Sequence, residues 1–475
     1  MRTSICQYAI GAGLWVAASL AAGDTLSDIY KLALDNDAKY KASEATYGAN
    51  LEFEKQALSA ILPQIRANGG YSEKNMDVST NQIFEFGGAS FNSVTDDEVD
   101  SETTTYGLTL NQPILDLPAW FGYKSGKEVS RLAHAQFVVD QQDLIIRVAN
   151  AYFEVLRVQD NLEVSKAEER ASKRRLEHAN QRFDAGIVAI TDVHEARAAY
   201  DLTVVSRLTD EGDVETSYEA LTVLTGQSHV NLSQLHIDFP VTDPAPAERN
   251  DWVDLALKTS FVLKAADYRM VAARYNAKAK KMQHAPKLVG FYSYNDSDKE
   301  GDATSNLAAL NKPFDLESDG SVWGVKLDIP LYSGGRISSE RRQAYKRYNA
   351  ALQQKIDTQR TVVQSARALH IAVVTDVQRV KARAQSIVSS RSALDATQAG
   401  YEAETRNIVD VLQVQRTLYS AIRNYANSRY DYVLDLLKLK QAAGVLDIDD
   451  VDNLNKWMVE LAASPGSQYK KYFKD

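Results

Sequence analysis

The chain has 475 residues, with 54 Lys or Arg and 63 Asp or Glu, and its formal net charge is −9. This acidic balance argues against a nucleic-acid-binding protein, because such a protein needs a basic surface to neutralise phosphates. The length is enough for two or three ordinary domains with a large core.

The N-terminus has the pattern of a cleavable secretory signal peptide, which we place at residues 1–23. Arg2 precedes a mostly apolar run at residues 8–22, and this run ends in small residues. The run is about 15 residues long, which is short for a membrane-spanning helix. The single cysteine, Cys6, precedes it, so a processed chain would hold no disulfide and no thiolate metal site.

No enzymatic site is visible in the sequence. None of the seven histidines forms a pair with metal-ligand spacing, and we interpret them as surface or packing residues. A nucleophile–base constellation is lacking, and the Gly334–Gly335 pair is a strand-to-helix turn too short for a phosphate-binding loop. We therefore expect no catalytic residue, no metal and no cofactor.

The first predicted elements are a helix followed by two strands. Residues 24–60 have helical periodicity, with Asp24 as a plausible N-cap. Residues 65–71 then alternate between apolar and polar side chains with the period of a strand. A polar, acidic stretch at residues 72–102 follows, and the alternation resumes at residues 105–111.

A long helix is predicted next, because residues 119–185 contain no proline and have helical periodicity. One apolar seam consists of Leu144, Val148, Ala151, Val155, Val158 and Leu162. The seam beside it consists of Ile145, Ala149, Tyr152 and Leu156. Two adjacent seams indicate a helix that packs against a neighbour on either side. A turn at Gly186 leads into a further helix at residues 192–224.

The same series of elements then occurs a second time, with an offset of 218 residues from Phe183 to Tyr401. The second copy has a helix at 251–284, strands at 288–294 and 323–329 around an acidic loop at 295–319, and helices at 337–402 and 410–443. This period is too long for a solenoid and indicates an internal duplication. We divide the chain into repeat 1 (24–226, with a hairpin at 62–113 and a turn at 183–192), an equatorial linker (227–249), repeat 2 (250–443, with a hairpin at 286–331 and a turn at 401–410) and a C-terminal equatorial tail (444–475).

The predicted strands have the length and pattern of membrane-spanning strands. Each is about ten residues long, apolar on one face and polar on the other. The polar face carries Arg66, Asn68, Thr109, Asn111, Lys326 and Asp328, as a water-filled lumen requires. Spanning strands must close into a barrel, and four are too few, whereas three copies of the chain would supply twelve. The alternative is a small soluble β-subdomain.

The sequence resembles the TolC family of bacterial outer-membrane efflux and secretion channels over essentially the whole mature chain. The motifs are FDAGIVAITDVHEARAAYD at 183–201, IVDVLQVQRTLYSA at 408–421, YANSRYDY at 425–432, NQPILDLPAW at 111–120 and IPLYSGGR at 329–336. The resemblance implies a mainly α fold with β: a long antiparallel α-helical, coiled-coil barrel, with four strands per chain in a trimeric twelve-stranded transmembrane β-barrel. It also implies a location in the outer membrane and periplasm, and surrounding outer-membrane lipid. Docking to a periplasmic adaptor protein and to an inner-membrane pump or ABC exporter is implied as well.

The resemblance also implies a gate at the periplasmic end of the channel. Carried over to this sequence, the contacts that hold the gate closed would be Tyr401 with Asp192 and Arg406 with Thr191. Asp410 from each of three chains would line the constriction, where an acidic ring attracts cations. The turns that would dock the adaptor contain Gly186, Ile187, Glu404 and Thr405.

Two residues depart from the family pattern. Gln413 stands where the family has its second pore acid, so we expect a weaker acidic constriction. Glu404 stands where the second repeat of the family has a turn glycine, which places that turn in doubt because glycine permits positive φ. The competing hypothesis is a periplasmic coiled-coil structural or interaction protein without a pore.

Overall fold

The computed structural model describes residues 23–305 and 312–459, which belong to two compact units. The first unit contains the chain up to Glu44, Phe137–Phe261 and the chain from Arg360 onward; the second contains Ala45–Gln136 and Val262–Gln359. The predicted signal peptide, apart from Gly23, and the predicted tail from residue 460 lie outside the described residues.

Helices and strands alternate along the chain in two similar series. The helices are α1 Leu26–Asn36, α2 Ala38–Ser59, α3 Leu117–Asp184, α4 Ile190–Thr225, α5 Arg249–Thr259, α6 Phe261–Lys281, α7 Arg336–Glu402, α8 Ile408–Ala443 and α9 Ile448–Asn455. The strands are β1 Gln64–Phe86, β2 Ala89–Leu115, β3 Gln234–Leu235, β4 Lys287–Ser305, β5 Lys312–Asp328 and β6 Met458–Val459. Of the described helices, none combines the length and the apolar character that crossing a membrane requires.

The predicted helix at residues 24–60 is two helices, because Asp37 interrupts it. The carboxylate of Asp37 accepts a hydrogen bond from the Tyr40 backbone N–H at 2.6 Å and so caps α2. The same carboxylate is held by Arg147 Nη1 and Nη2 at 2.7 and 3.0 Å. These hydrogen bonds from Arg147 keep the pKa of Asp37 below its usual range. The predicted helix at residues 251–284 is likewise two helices, α5 and α6, which Ser260 separates.

The prediction of Asp24 as the N-cap of this helix is wrong, because Thr25 caps α1. The Thr25 hydroxyl accepts from the Asp28 backbone N–H at 3.3 Å, and the Asp28 carboxylate accepts from the Thr25 N–H at 3.2 Å. The backbone of Asp24 is bridged to Leu232, and its carboxylate lies 2.7 Å from Nδ1 of the buried His229. Asp24 therefore anchors the start of the first unit to the linker.

The core of the first unit confirms the two apolar seams predicted for α3. Leu144, Val148 and Val155 of one seam are buried, and so are all four residues of the other seam. Phe153 lies beside the second seam, on the side away from the first, and packs against the buried Tyr430 of α8, with ring centroids 5.9 Å apart. Burial of each such large side chain stabilises the fold by about 1.5–3 kcal/mol.

In the first unit the predicted equatorial linker pairs with the part of the predicted C-terminal tail that directly follows α9. Strand β3 is antiparallel to β6, with Gln234 opposite Val459 and Leu235 opposite Met458. Leu235 is fully buried in the core cluster of this unit. The pairing gives this irregular part of the chain a defined position.

The second unit contains one four-stranded antiparallel sheet with the strand order β1-β2-β4-β5. The predicted acidic loops are wrong for most of their length, since the strands continue through them. Strand β1 has 23 residues and β2 has 27, and they are joined by Gly87 and Gly88, which both have positive φ. The ladder is formed by backbone groups, so exposed acidic side chains do not interrupt it.

The register confirms the predicted division of the sheet into an apolar and a polar face. Directly opposite residues share a face, and one row across the four strands reads Ile65, Leu110, Tyr292 and Trp323. Ile65, Tyr292 and Trp323 are exposed in the isolated chain, Trp323 to 80%, and Leu110 is half-buried. A row on the other face reads Gln64, Asn111, Phe291 and Gly324.

Candidate functional site: two helix–helix turns and the start of α8

The turn between α3 and α4 has the geometry of a glycine-terminated helix. Gly186 has φ of +75°, its N–H donates to Phe183 O at 2.8 Å, and the Ile187 N–H donates to Arg182 O at 2.8 Å. An added Cβ at Gly186 would meet no atom within 4 Å, so the glycine is needed for its backbone conformation alone. Ile187 is exposed at the tip of the turn.

The turn between α7 and α8 has the same geometry with a glutamate in place of the glycine. Glu404 has φ of +60°, and its N–H donates to Tyr401 O at 3.1 Å. Both the N–H and the hydroxyl of Thr405 donate to Gly400 O, at 2.8 and 3.0 Å. Glu404 therefore adopts the left-handed conformation that glycine usually supplies, although a side chain opposes it, and the docking of an adaptor at this turn stays a prediction.

Asp410 lies in the first turn of α8, but it is not the cap. Asn407 is the N-cap, and its side chain accepts from the Asp410 N–H at 2.8 Å. The Asp410 carboxylate does not cap the helix, and it forms an ion pair with Arg406, whose Nη1 lies 3.8 Å away. Gln413 follows one turn later and is exposed, so both side chains reach the same side of the helix.

Asp192 has the corresponding position in α4, as its third residue, where it carries an acidic charge near the positive end of the helix dipole. Thr191 precedes it and is exposed. Arg406 is paired with Asp410 in its own chain, so its predicted contact with Thr191 stays a prediction.

Tyr401 lies where α3, α4 and α8 meet the end of α7. Its ring packs against the cluster formed by Ala199, Ile408 and Leu412. Its hydroxyl is buried and, among the described residues, has no hydrogen-bond partner. Burial raises the pKa of Tyr401, and of the neighbouring charges Arg182 lowers it while Asp192 raises it. Asp192 is therefore near Tyr401, but the two side chains are not hydrogen-bonded in this chain.

Sequence reasoning missed Arg182, which covers the Tyr401 ring. The guanidinium carbon lies 4.9 Å from the ring centroid, and Nη2 lies 4.0 Å from Glu404 Oε1. Arg182 therefore links the end of α3 to the turn between α7 and α8. Its position directly before Phe183, at the end of a helix, gave no sign of a partner that lies 219 residues along the chain.

A second missed contact joins α3 to α8 one to two turns away. Arg175 Nε donates to Gln415 Oε1, and Gln415 Nε2 donates to Ser172 Oγ at 3.1 Å. Burial lowers the pKa of Arg175. The signal for this contact was present in the sequence, because Gln415 is a polar residue on the apolar seam of α8 between Leu412 and Leu418.

Comparison with known proteins gives the family. The model of the family described as "Outer membrane efflux protein" matches residues 29–227 and 252–445. The outer membrane protein TolC of Vibrio cholerae serotype O1 is 34% identical over 448 residues, covering 94% of this chain and 96% of that protein. The alkaline protease secretion protein AprF of Pseudomonas aeruginosa is 26% identical over 431 residues, covering 90% of this chain and 86% of that protein.

A solved structure shows the same fold. The crystal structure of the outer membrane protein VceC from Vibrio cholerae matches with a TM-score of 0.71 at 19% identity, covering 88% of this chain and 96% of that one. The predicted fold class, long helices combined with four strands per chain, is confirmed. This chain belongs to the outer membrane efflux protein family.

Proposed function

We propose that this chain, as a homotrimer, forms the outer-membrane exit duct of tripartite multidrug efflux pumps and type I protein secretion systems. Its family consists of outer-membrane channels and not of enzymes, so the duct is passive and partners supply the energy. The observation that carries the proposal is the four-stranded sheet, which has one exposed apolar face and two open edges.

The open edges argue for assembly with other copies of the chain. Within the described residues, β1 and β5 are the outer strands of the sheet, with 23 and 17 residues. A long unpaired edge cannot face lipid, because its backbone N–H and C=O groups would lack partners. Pairing β5 of one copy with β1 of the next satisfies both edges, and three copies close a barrel of twelve strands.

The two faces of the sheet suit such a barrel. The apolar row of Ile65, Leu110, Tyr292 and Trp323, in which only Leu110 is half-buried, would contact lipid. The other face places Arg66 opposite Thr109 and Asn68 opposite Gly107, and would line a water-filled lumen. Both faces acquire a suitable environment only in the closed assembly.

The two helix–helix turns are the proposed docking sites for a periplasmic adaptor, which would connect the duct to an inner-membrane pump or ABC exporter. Gly186, Ile187, Glu404 and Thr405 are all exposed, and the two turns share one backbone geometry. A partner can therefore bind both turns in an equivalent way. The relative named for alkaline protease secretion supports a role in protein export.

The proposed constriction is a ring of Asp410 from three chains, with Gln413 beside it. Asp410 is half-exposed and is not used as a helix cap, so its carboxylate is available to the lumen. Three carboxylates around a narrow pore favour cations and can bind a polyvalent one. Gln413 adds no charge, so the block by a polyvalent cation should be modest.

The proposal is tested by conductance in planar bilayers, with the wild type, Asp410→Ala and the control Glu195→Ala, an exposed acid of α4. We expect cation-selective channels that a trivalent cation on the periplasmic side blocks in the wild type and in Glu195→Ala. Asp410→Ala should be resistant to the block. Channels with equal block in all three proteins would remove Asp410 from the constriction, and a protein without channels would contradict the duct.

A further inference from the structure

We propose that a belt of lysines in the lumen of the β-barrel binds organic anions on their way out of the duct. The lysine belt consists of Lys74, Lys299 and Lys312 of each copy of the chain. Its ligands are small molecules that combine a carboxylate, phosphate or sulfonate group with an apolar part. This inference rests on the proposed function, since it takes the polar face of the sheet as the wall of a water-filled lumen.

Positive and negative side chains of the four long strands lie on opposite faces of the sheet. The paired positions place every Lys and Arg of the described strand residues on the polar face: Arg66, Lys74, Lys287, Lys299, Lys312 and Lys326. The acids have the reverse distribution, because among the described residues of these strands only Asp97 and Asp328 share that face. The other strand acids lie on the face of Ile65. The polar face therefore makes a basic wall.

Each face is continuous over the rows that contain the lysine belt. The registers of β1 with β2 and of β4 with β5 run without a shift, and that of β2 with β4 shifts between Pro113 and Leu115, away from these rows. Alternate residues of a strand point to opposite faces, and a slip of one residue would be needed to exchange them. The lysine belt thus shares its face with Arg66 and Thr109, which would line the lumen.

The rows of the sheet place the lysine belt towards the end of the strands that is distant from the helices. Lys299 lies in the row of Ser72, and Lys74 lies in the next row. Lys312 lies one row further, so the belt spans about 13 Å of strand. On β1, which follows α2, Lys74 lies about 30 Å beyond Ile65. A membrane-spanning strand has about 9–11 residues, so the belt lies near the far end of the spanning part, where the lumen would open.

Acids do not neutralise these cations. Within the described residues no carboxylate lies within ion-pair distance of the lysine belt, whereas Lys287 is paired with Asp116 at 3.1 Å. Asp328 lies opposite Lys287 at the other end of the sheet, so Asp97 is the one described acid of this face near the belt. Assembly would not change the balance, because every copy adds the same cations and the same two acids to the lumen.

The shape of a barrel strengthens the attraction for anions. Charges that line a channel with low-dielectric walls focus their field into the lumen. The acids of the other face point into the water outside the barrel, where salt screens their field over about 8 Å. An anion in the lumen would therefore be attracted mainly by the cations of the wall.

Phe314 adds an apolar surface to the lysine belt. Lys299 Nζ lies 5.3 Å from the centroid of the Phe314 ring, within the range of a cation–π contact. Phe314 lies directly opposite Gly301, where an added Cβ would come within 2.8 Å of Phe314 Cζ, so the glycine leaves room for the ring. Leu316 and Met76 lie on the same face in the neighbouring rows. An organic anion can use both the ammonium group and these apolar side chains, whereas an inorganic anion can use the charge alone.

The test measures the block of single-channel current in planar bilayers by pyrenetetrasulfonate, an aromatic anion, added on the extracellular side. We expect the wild type to be blocked, and the block to weaken between about 0.1 and 1 M salt because salt screens exposed charges. The double variant Lys74→Gln/Lys299→Gln should need a roughly tenfold higher concentration for half-block, since it removes two exposed charges from each of three copies. Lys74→Arg/Lys299→Arg should keep the block. Lys31→Gln, a change of an exposed lysine in α1, is the control and should match the wild type.

Equal block of the wild type and of Lys74→Gln/Lys299→Gln would overturn the inference. Block by poly-glutamate without block by pyrenetetrasulfonate would also overturn it, because the belt would then bind acidic polypeptides and not organic anions. Should the double variant form no channels, Lys312→Gln decides: it must raise the half-blocking concentration severalfold, or the inference is wrong. A wild type without channels would contradict the duct itself, whereas channels that are not blocked would contradict the lysine belt alone.

Discussion

At the scale of single residues, the carboxylate of Asp376 in α7 is a buried charge that opposes folding when it is ionised. Its side chain is 1% exposed, and Oδ2 has no hydrogen-bond donor among the described residues. Burial raises the pKa of Asp376 to about 6, with Asp435 and Asp431 raising it further and Arg379 lowering it.

The stability of the protein should therefore fall as the pH rises through about 6. The folded state holds a proton on Asp376 that the unfolded state releases at lower pH, so the stabilisation is present at acidic pH and lost above pH 6. We expect Asp376→Asn to stabilise the protein by roughly 2–3 kcal/mol at pH 8 and by little at pH 4. Thermal unfolding of the wild type and the variant at the acidic and at the alkaline pH measures the difference in stability. The exposed Asp357→Asn is the control, and an equal effect of both changes would contradict the argument.

Two substitutions, one in each turn, should change the free energy of unfolding in opposite directions. Gly186→Ala should destabilise by about 1 kcal/mol, since alanine disfavours positive φ and its Cβ would contact nothing. Glu404→Gly should stabilise by a similar amount, because it relieves the same strain and the exposed ion pair with Arg182 adds little stability. Denaturant unfolding compares the two variants. If both variants changed the free energy of unfolding in the same direction, the two turns would differ in more than their side chains.

At the scale of elements, the sheet contains a row of like charges that limits its stability. Glu73, Glu102, Glu300 and Asp315 lie directly opposite one another across the four strands. They share a face with the apolar row of Ile65, and like charges in directly opposite positions destabilise a sheet. The strands persist because the backbone ladder continues on both sides of the row.

Glu102→Gln should therefore raise the temperature at which the sheet unfolds, and more so at low ionic strength. The change removes a charge that faces both Glu73 and Glu300, and salt screens such exposed charges. Glu85→Gln is the matched control, because the cross-strand partner of Glu85 is the neutral Ser90. Thermal unfolding followed by circular dichroism at about 0.01 M and at about 1 M salt provides the measurement, because the Debye length differs about tenfold between these two conditions. A gain that does not depend on salt would have another cause than charge.

At the scale of the whole molecule, the open edges of the sheet predict which strands meet between copies. We expect a disulfide between chains when one cysteine replaces Asn68 on β1 and a second replaces a suitable residue on β5. Four positions on β5 would be tried one at a time: Gly320, Val322, Gly324 and Lys326. All these positions lie on the polar face, and disulfides need close Cβ atoms. A chain processed after the predicted signal peptide would have no cysteine of its own, so native cysteines would not contribute to the cross-linking.

The expected product is a species of three linked chains in denaturing gels without reductant. A cysteine pair at Thr109 and Ser293, which face each other within one chain, should link no chains and serves as the control. Linked dimers without a three-chain product would contradict a closed trimer. Absence of linkage for the whole set would contradict pairing of β5 with β1.

The sequence by itself determined the features that depend on local periodicity. The two adjacent seams of α3, the long α7 and the alternation along β5 are all repeated patterns within one element, so each could be predicted without knowing its neighbours. The same holds for the two faces of the sheet, because alternation assigns each residue to a side. The duplication was visible for a related reason, since both copies carry the same local patterns.

Only the tertiary structure decided the features that depend on a partner elsewhere in the chain. The ion pair of Asp37 with Arg147 joins residues far apart in sequence, and the full length of β1 depends on the backbone of β2 rather than on its own acidic side chains. The contact of Arg182 with Tyr401 likewise joins residues far apart in sequence. Periodicity records which face of an element is buried, but it does not record which side chain from another element meets it.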